Sequence, residues 1–173
     1  MKTVFLFILT ISLSMFMSCC NKLFPDEKLS IQRLDYNGNE LRTDGYYYYF
    51  SLNNTVVYFL YKNGIILCAA SYSSTDLNTV ESEMIKVYPD YKKYKDGWGV
   101  FLVNGNKINY EIWNTSTGYS LPVIKCNGII ENDTTFRITE TYFSDSKKTD
   151  YGETVFHFKQ FDNKPDSTNN YIK

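Results

Sequence analysis

The sequence predicts an all-β protein with one short helix, and three observations lead to this fold class. Aromatic residues make up 17% of the chain, including 16 Tyr and 12 Phe, and aromatic side chains favour strands. Asn-Gly pairs adopt positive φ readily and form tight hairpin turns; they stand between apolar runs at 37–38, 63–64 and 104–105. Apolar and polar residues alternate in segments such as 108–113, as in a sheet with one solvated face.

The turn signals divide the chain into an antiparallel meander of about nine strands. Segments 56–61 and 65–70 are apolar on both faces, which predicts a hairpin that lies at the centre of the structure or under a helix. Asn127-Gly128 and Asn132-Asp133 are further turn signals, which divide the stretch before residue 134. The predicted strands are 29–35, 40–51, 55–62, 65–73, 98–103, 107–113, 134–143 and 154–161.

One segment departs from the two-residue period and predicts the helix. Asn78 is expected to cap its N-terminus, with Glu81 three positions later completing a capping box. Val80 and Met84 then share one face, and Pro89 is expected to end the helix. A helix of ~10 residues is not stable alone in water, so it must pack on the sheet.

Sequential antiparallel strands can hide their edges by closing into a barrel. The meander order over residues 30–161, with the stretch 99–108, resembles lipocalin-type and related calycin-like barrels. The resemblance implies a barrel with one short helix. The Gly-x-Trp motif that lipocalins carry near the first strand has no counterpart there, since Gly97-Trp98 lies in mid-chain. A two-sheet sandwich is the alternative.

The N-terminus predicts export. Lys2 precedes an apolar run over residues 4–17, which at 1.5 Å per residue reaches ~21 Å and falls short of the ~30 Å bilayer core. This pattern is typical of a signal peptide, here residues 1–18. Ser18-Cys19-Cys20 resembles a lipobox, which implies that Cys19 is acylated and that residues 19–28 form a lipidated tether. An ordinary cleaved signal followed by a free Cys pair is the alternative.

The remaining residues, 29–173, form one predicted domain. The lipobox region, segment 128–136 and the ending 156–169 resemble small cell-envelope lipoproteins of Gram-negative gut anaerobes. This resemblance implies a lipid-anchored location in the cell envelope, at the outer membrane, on its periplasmic face or at the cell surface. It implies a location rather than an activity.

Charge and composition exclude several classes of function. Lys+Arg 18 against Asp+Glu 19 gives a net charge of −1, so no nucleic-acid partner is expected. The sequence has a single His and contains no Cys-x-x-Cys, phosphate-loop or dinucleotide motif, so we expect no metal and no cofactor. Cys68 and Cys126 can form a disulfide in an exported domain or stay free, and we favour buried free thiols.

We expect no catalytic residue. His157 is the only His and has no accompanying nucleophile motif. A glycosidase would need two acids in one cleft. Glu111 is expected to face outward, whereas Glu140 shares its parity with Phe136 and Ile138 and is expected to point inward.

Two aromatic segments are candidate binding surfaces, because rings with polar tips suit sugars and protein surfaces. Packing within a strand ladder explains the tyrosine run without any ligand. The sequence therefore predicts a non-enzymatic, membrane-anchored envelope lipoprotein that binds a small apolar or glycan ligand or a partner protein. A structural or assembly subunit of an envelope complex, with no small ligand, is the alternative. The candidate ligand-binding residues are Tyr46 and Tyr48 in the tyrosine run, and Tyr91, Tyr94 and Trp98 in the loop 88–98.

Overall fold

A computed structural model describes residues 25–115 and 120–173, so the predicted signal peptide and Cys19 lie outside the described residues. The described part contains nine strands and one helix. The strands are β1 Gly45–Ser51, β2 Asn54–Leu60, β3 Ile65–Tyr72, β4 Trp98–Asn104, β5 Lys107–Trp113, β6 Val123–Asn132, β7 Thr135–Phe143, β8 Lys148–Asp150 and β9 Thr154–Gln160, and the helix is α1 Leu77–Tyr91.

Eight of the strands close into an antiparallel barrel. Strands β1 to β7 pair in sequence order, β7 pairs with β9, and β9 returns to β1. The three-residue strand β8 pairs with β7 as an extra strand outside the ring. The predicted all-β meander with one helix is therefore confirmed, the barrel replaces the sandwich alternative, and the architecture is compatible with a lipocalin-like fold.

The two ends of the barrel differ in their connections. Short turns join β2 to β3, β4 to β5 and β6 to β7 at one end, where Gly64 (φ 74°) and Gly105 (φ 59°) take the positive φ that the Asn-Gly signals predict. We call this the closed end. The opposite, open end carries the β1–β2 turn and the longer connections from β3 through α1 to β4 and from β5 to β6.

The barrel interior is a continuous aromatic and aliphatic core to which all eight strands contribute. Tyr47 and Tyr49 point into it and Tyr46 and Tyr48 lie on the outer face, as the predicted alternation requires. The rings of Phe136 and Phe156 stack with centroids 4.5 Å apart. Tyr47 lies within 5.2 Å of the neighbouring aromatic rings of this core.

A second core lies outside the barrel, between the outer faces of β1–β3 and helix α1. Val57 and Phe59 of β2 pack there against Val80 and Met84 of the helix, all four fully buried. The C-terminal tail also packs against this layer through Phe161 and the partly buried Tyr171 and Ile172. The hairpin β2–β3 is apolar on both faces because one face lines the barrel and the other lies under the helix.

The helix begins earlier and ends later than predicted. The Asp76 carboxylate, rather than Asn78, caps it by accepting from the backbone N–H of Asn78 at 3.4 Å and of Thr79 at 3.1 Å. Pro89 lies inside the helix, in its last turn. There it removes one intrahelical hydrogen bond, while the turn after it is held by the Trp98 indole, which donates to the Tyr91 carbonyl at 2.8 Å.

The predicted strand 29–35 is absent, and the strand predicted from residue 40 begins only at Gly45. Residues 25–44 instead form a strap, which starts at the open end, follows the outer wall and crosses the closed end. On the wall, the backbone N–H groups of Ser30 and Ile31 donate to the carboxylate of Glu111 at 2.5 Å and 3.2 Å. These donors are therefore occupied by a side chain and do not form a strand ladder there.

The strap fills the closed end of the barrel. Tyr36 enters the interior core, where its ring centroid lies 5.6 Å from that of Phe101. Its hydroxyl accepts from the backbone N–H of Leu41 at 2.7 Å, and Leu41 is buried in the same core. Large side chains therefore block this end.

Candidate functional site

A pocket of about 600 Å³ opens at the open end of the barrel. Its wall combines inward-facing residues of the barrel with residues from the C-terminal end of α1 and from the connections on either side of β4 and β5. The lining includes Tyr49, Val56, Tyr58, Cys68, Ile112 and Ile124 from the strands, and Asp90, Tyr91, Tyr94, Asp96, Trp113 and Thr115 from the rim.

The pocket exists because β3 and β4 separate at this end. They pair only between residues 65–67 and 98–100, and β3 then continues to Tyr72 paired with β2 alone. The Cys68 N–H donates instead to the carbonyl of Gly97 at 2.8 Å. Gly97 has φ 79°, and a Cβ there would lie 2.4 Å from the Cys68 carbonyl oxygen. Only glycine satisfies both the positive φ and this close approach.

The pocket floor is uncharged. Burial raises the pKa of the Tyr49 phenol and raises that of Tyr58 well above its usual value. Burial also raises the pKa of the Cys68 thiol to about 11. All three groups are therefore protonated at neutral pH, and the floor offers aromatic surface with weak hydrogen-bonding groups and no counter-charge. An ionic group entering this floor would lose its hydration without a partner.

The rim is polar, but its charges already have partners. Asp90 forms an ion pair with Lys93 at 2.6 Å. The Asp96 carboxylate accepts from the Thr115 backbone N–H at 2.6 Å. Tyr94 is 66% exposed and stands at the mouth. The arrangement can accept a neutral molecule with an apolar body at the floor and a polar group near the rim.

The structure brings two of the five predicted ligand-binding residues to this pocket, Tyr91 and Tyr94. Tyr46 and Trp98 are buried in the outer core, where the Tyr46 hydroxyl donates to Glu81 at 2.9 Å. Tyr48 is half-buried on the outer face, beside Phe50. Tyr46, Tyr48 and Trp98 thus pack against the helix and the outer sheet and do not line the pocket.

Sequence reasoning did not select the residues of the pocket floor. Strand alternation places Tyr49 on the same face as Tyr47, and Ile112 on the same face as Tyr110. The inward direction of Tyr49 and Ile112 could therefore be predicted from the sequence. The sequence could not predict which end of the barrel is open. That depends on where β3 separates from β4 and on which residues fill the opposite end.

Glu140 does not point inward, contrary to the prediction from parity. The pairing register shifts between β6 and β7, with Asn127 opposite Glu140 and Gly128 opposite Ile138. Thr139 is thus an extra residue, and such a bulge reverses the face of the residues that follow it. Glu140 accepts from the Asn127 side-chain amide on the outer surface at 2.8 Å.

Of the other residues considered for chemistry, Cys68 lines the pocket and His157 lies apart from it. His157 is exposed on the outer face, with its ring centroid 6.1 Å from that of Tyr48. Cys68 and Cys126 are free thiols. Within residues 25–115 and 120–173, no group of three or more His, Cys, Asp or Glu side chains is placed to hold a metal ion. The single helix of this described part is not long and apolar enough to span a bilayer.

Comparisons with protein-family models, with curated proteins and with solved structures found no match to the chain.

Proposed function

We propose that this protein is a lipid-anchored envelope lipoprotein whose barrel binds a small, uncharged, largely apolar ligand at its open end. The observation that carries the proposal is the pocket of about 600 Å³ above an uncharged floor of Tyr49, Tyr58 and Cys68. Ligand pockets in proteins commonly have volumes of ~300–1,000 Å³ and are lined mostly by apolar and aromatic groups.

The chemistry of the lining favours an apolar ligand over a glycan. Sugars require many hydrogen-bonding groups that converge on their hydroxyls, whereas Val56, Ile112 and Ile124 present hydrocarbon and Tyr58 is buried. Burying hydroxyls against such a surface without partners costs free energy. Burial of apolar surface is therefore the main driving force that this pocket offers.

The binding test uses two matched substitutions. Val56 lines the pocket, and Val155 is 37% exposed on the outer face of β9. Because an indole at position 56 projects into the pocket and narrows the space above its floor, Val56→Trp is expected to weaken binding of the neutral probe N-phenyl-1-naphthylamine by at least about tenfold. Val155→Trp is expected to bind like the wild type. Probe fluorescence measures binding, and thermal unfolding shows that both variants fold.

Either of two results would contradict the proposal. In the first, the wild type does not enhance probe fluorescence, which favours the alternative of a structural or assembly subunit without a small ligand. In the second, Val56→Trp folds and binds as tightly as the wild type, so the probe binds elsewhere.

The anchor has its own test. Mass spectrometry of the N-terminal peptide from the membrane fraction should show acyl chains on Cys19, and Cys19→Ser should move the protein out of that fraction, since the acyl chains supply the membrane affinity. An unmodified N-terminus downstream of Cys20 would exclude the anchor.

A further inference from the structure

The open end of the barrel exposes large apolar side chains. Leu52 in the β1–β2 turn is 95% exposed, Phe50 just before it is 50% exposed, and Tyr94 in the α1–β4 connection is 66% exposed. Tyr94 also lines the pocket mouth. Other large apolar side chains are exposed elsewhere on the described structure, at Leu34, Ile85, Ile129, Tyr151 and Val155. The three at the open end share that end with the pocket mouth, and exposed apolar groups beside a pocket indicate contact with a protein or a membrane.

Leu52 is unusual in a second respect. It occupies the two-residue turn between Ser51 and Asn54 with φ 54°, in the left-handed region. Residues with a Cβ rarely adopt this conformation, and Gly or Asn normally take it. The pairing of Ser51 with Asn54 imposes this φ, since a two-residue hairpin turn requires positive φ at its first position. What is unusual is that an almost fully exposed leucine occupies the position, and a large apolar side chain projecting from a turn tip indicates an external contact.

The N-terminal strap is fixed to the same end. The Asp26 carboxylate accepts from the Leu121 backbone N–H at 3.0 Å and pairs with Lys95 at 2.9 Å. The Glu27 carbonyl accepts from the Trp113 indole N–H at 2.7 Å, and Trp113 lines the pocket. The chain therefore enters the described structure beside the pocket mouth.

The position of the predicted lipid anchor follows from chain length. Asp26 lies seven positions after Cys19, and a chain of that length spans at most ~25 Å when fully extended. An acylated Cys19 therefore keeps the open end within ~25 Å of the bilayer surface.

We propose that the open end docks on the lipid bilayer, with Phe50, Leu52 and Tyr94 entering the interfacial region and the pocket mouth facing the membrane. The ligand is then an apolar molecule that exchanges between the bilayer and the barrel. This inference rests on the proposed lipid anchor and specifies the surface from which the proposed ligand comes.

Two leucines at opposite ends allow a matched test. Leu34 is 54% exposed, and its carbonyl packs against Gly64 in the β2–β3 turn at the closed end. Leu52→Cys and Leu34→Cys are made separately in the full-length protein carrying Cys20→Ser, Cys68→Ser and Cys126→Ser. Each is labelled with a nitrobenzoxadiazole fluorophore and reconstituted into vesicles of phosphatidylethanolamine and phosphatidylglycerol.

Brominated lipids are expected to quench the label at position 52 at least about threefold more than the label at position 34, because interfacial groups enter the bilayer by ~5–10 Å. Equal quenching at both positions, stronger quenching at position 34, or no quenching at either would overturn the inference.

Two further measurements separate this inference from the proposed function. Mass spectrometry of the labelled samples reports whether Cys19 is acylated, and N-phenyl-1-naphthylamine fluorescence of unlabelled Cys19→Ser protein, which keeps Cys68 in the pocket floor, reports in detergent-free buffer whether the pocket binds. An acylated protein that binds the probe but shows no preference for position 52 overturns only the orientation. A protein without acyl chains on Cys19 overturns both the anchor and the orientation.

Discussion

The Glu111 carboxylate holds the strap against the outer wall of the barrel. It lies on the outer face of β5, yet it is only 2% exposed because the strap covers it. Burial by itself raises its pKa, but hydrogen bonds from Ser30, Lys125 and Ile31 outweigh this effect and hold the pKa below its usual value. The ionised form therefore stabilises the folded state.

Glu111→Gln is expected to lower the free energy of unfolding by about 1–3 kcal/mol at pH 7, because two backbone donors and Lys125 lose a charged acceptor. Glu140→Gln, at a half-buried position on the outer face of β7, is the matched control and should change little, because the Asn127 side-chain amide can donate to the amide oxygen instead. A carboxyl group whose pKa is lower in the folded than in the unfolded protein stabilises the folded state at pH values above its unfolded-state pKa of ~4.3. This stabilisation is lost as the pH falls through the pKa of the folded state. Urea unfolding should show the two proteins converging at low pH, and a constant difference down to pH 2 would contradict this account.

The Cys68 thiol provides a pH-dependent probe of the pocket floor. Only the thiolate reacts with iodoacetamide, and burial raises the pKa of Cys68 to about 11. In a protein carrying Cys20→Ser and Cys126→Ser, the alkylation rate should keep rising about tenfold per pH unit through pH 10. The same protein in urea should level off near the ordinary thiol pKa of ~8.5. A plateau below pH 9 in the folded protein would show that the floor does not desolvate this thiol.

At the scale of elements, the N-terminal cap fixes where helix α1 begins, and packing in the outer core stabilises the helix on the barrel. Asp76 satisfies two of the free N–H groups of the first turn, and Met84 buries the helix face against the barrel. The sequence placed the helix correctly because the apolar face repeats at helical spacing. The prediction of Asn78 as the N-cap was wrong because both Asp and Asn are common N-cap residues. Which of Asp76 and Asn78 caps the helix depends on where β3 ends.

Asp76→Ala and Asn78→Ala distinguish the two caps. Removal of the Asp76 carboxylate leaves two backbone donors without a partner and should lower Tm by ~2–4 °C. Asn78→Ala should leave Tm nearly unchanged, because Asn78 contributes its backbone N–H to the cap. Thermal unfolding followed by circular dichroism measures the Tm of both variants. A larger decrease in Tm for Asn78→Ala than for Asp76→Ala would show that Asn78 caps the helix, as the sequence predicts.

At the scale of the whole molecule, the barrel is filled at one end and open at the other. The strap blocks the closed end with Tyr36 and Leu41. At the open end, β3 leaves β4 at Leu67, and the pocket lies above the remaining core. This division places the stabilising contacts of the strap and the proposed binding pocket in different parts of one small barrel.

Tyr36→Ala tests this division. Loss of a buried aromatic ring should lower the free energy of unfolding by ~3–5 kcal/mol. Tyr151→Ala, at a position 75% exposed, should change it by less than ~0.5 kcal/mol. Both variants should bind N-phenyl-1-naphthylamine like the wild type under conditions where they are folded. Weaker probe binding by folded Tyr36→Ala would show that the two ends are coupled.

The sequence by itself determined the fold class, the turns at Gly64 and Gly105, the position of the helix and the alternation of Tyr46 to Tyr49. These features are local, since each follows from backbone preferences or side-chain periods within a few residues. The tertiary structure alone decided the path of the strap, the outward direction of Glu140 and the position of the pocket. Each of these depends on contacts between residues far apart in sequence: Glu111 with Ser30, the register of β6 against β7, and the separation of β3 from β4.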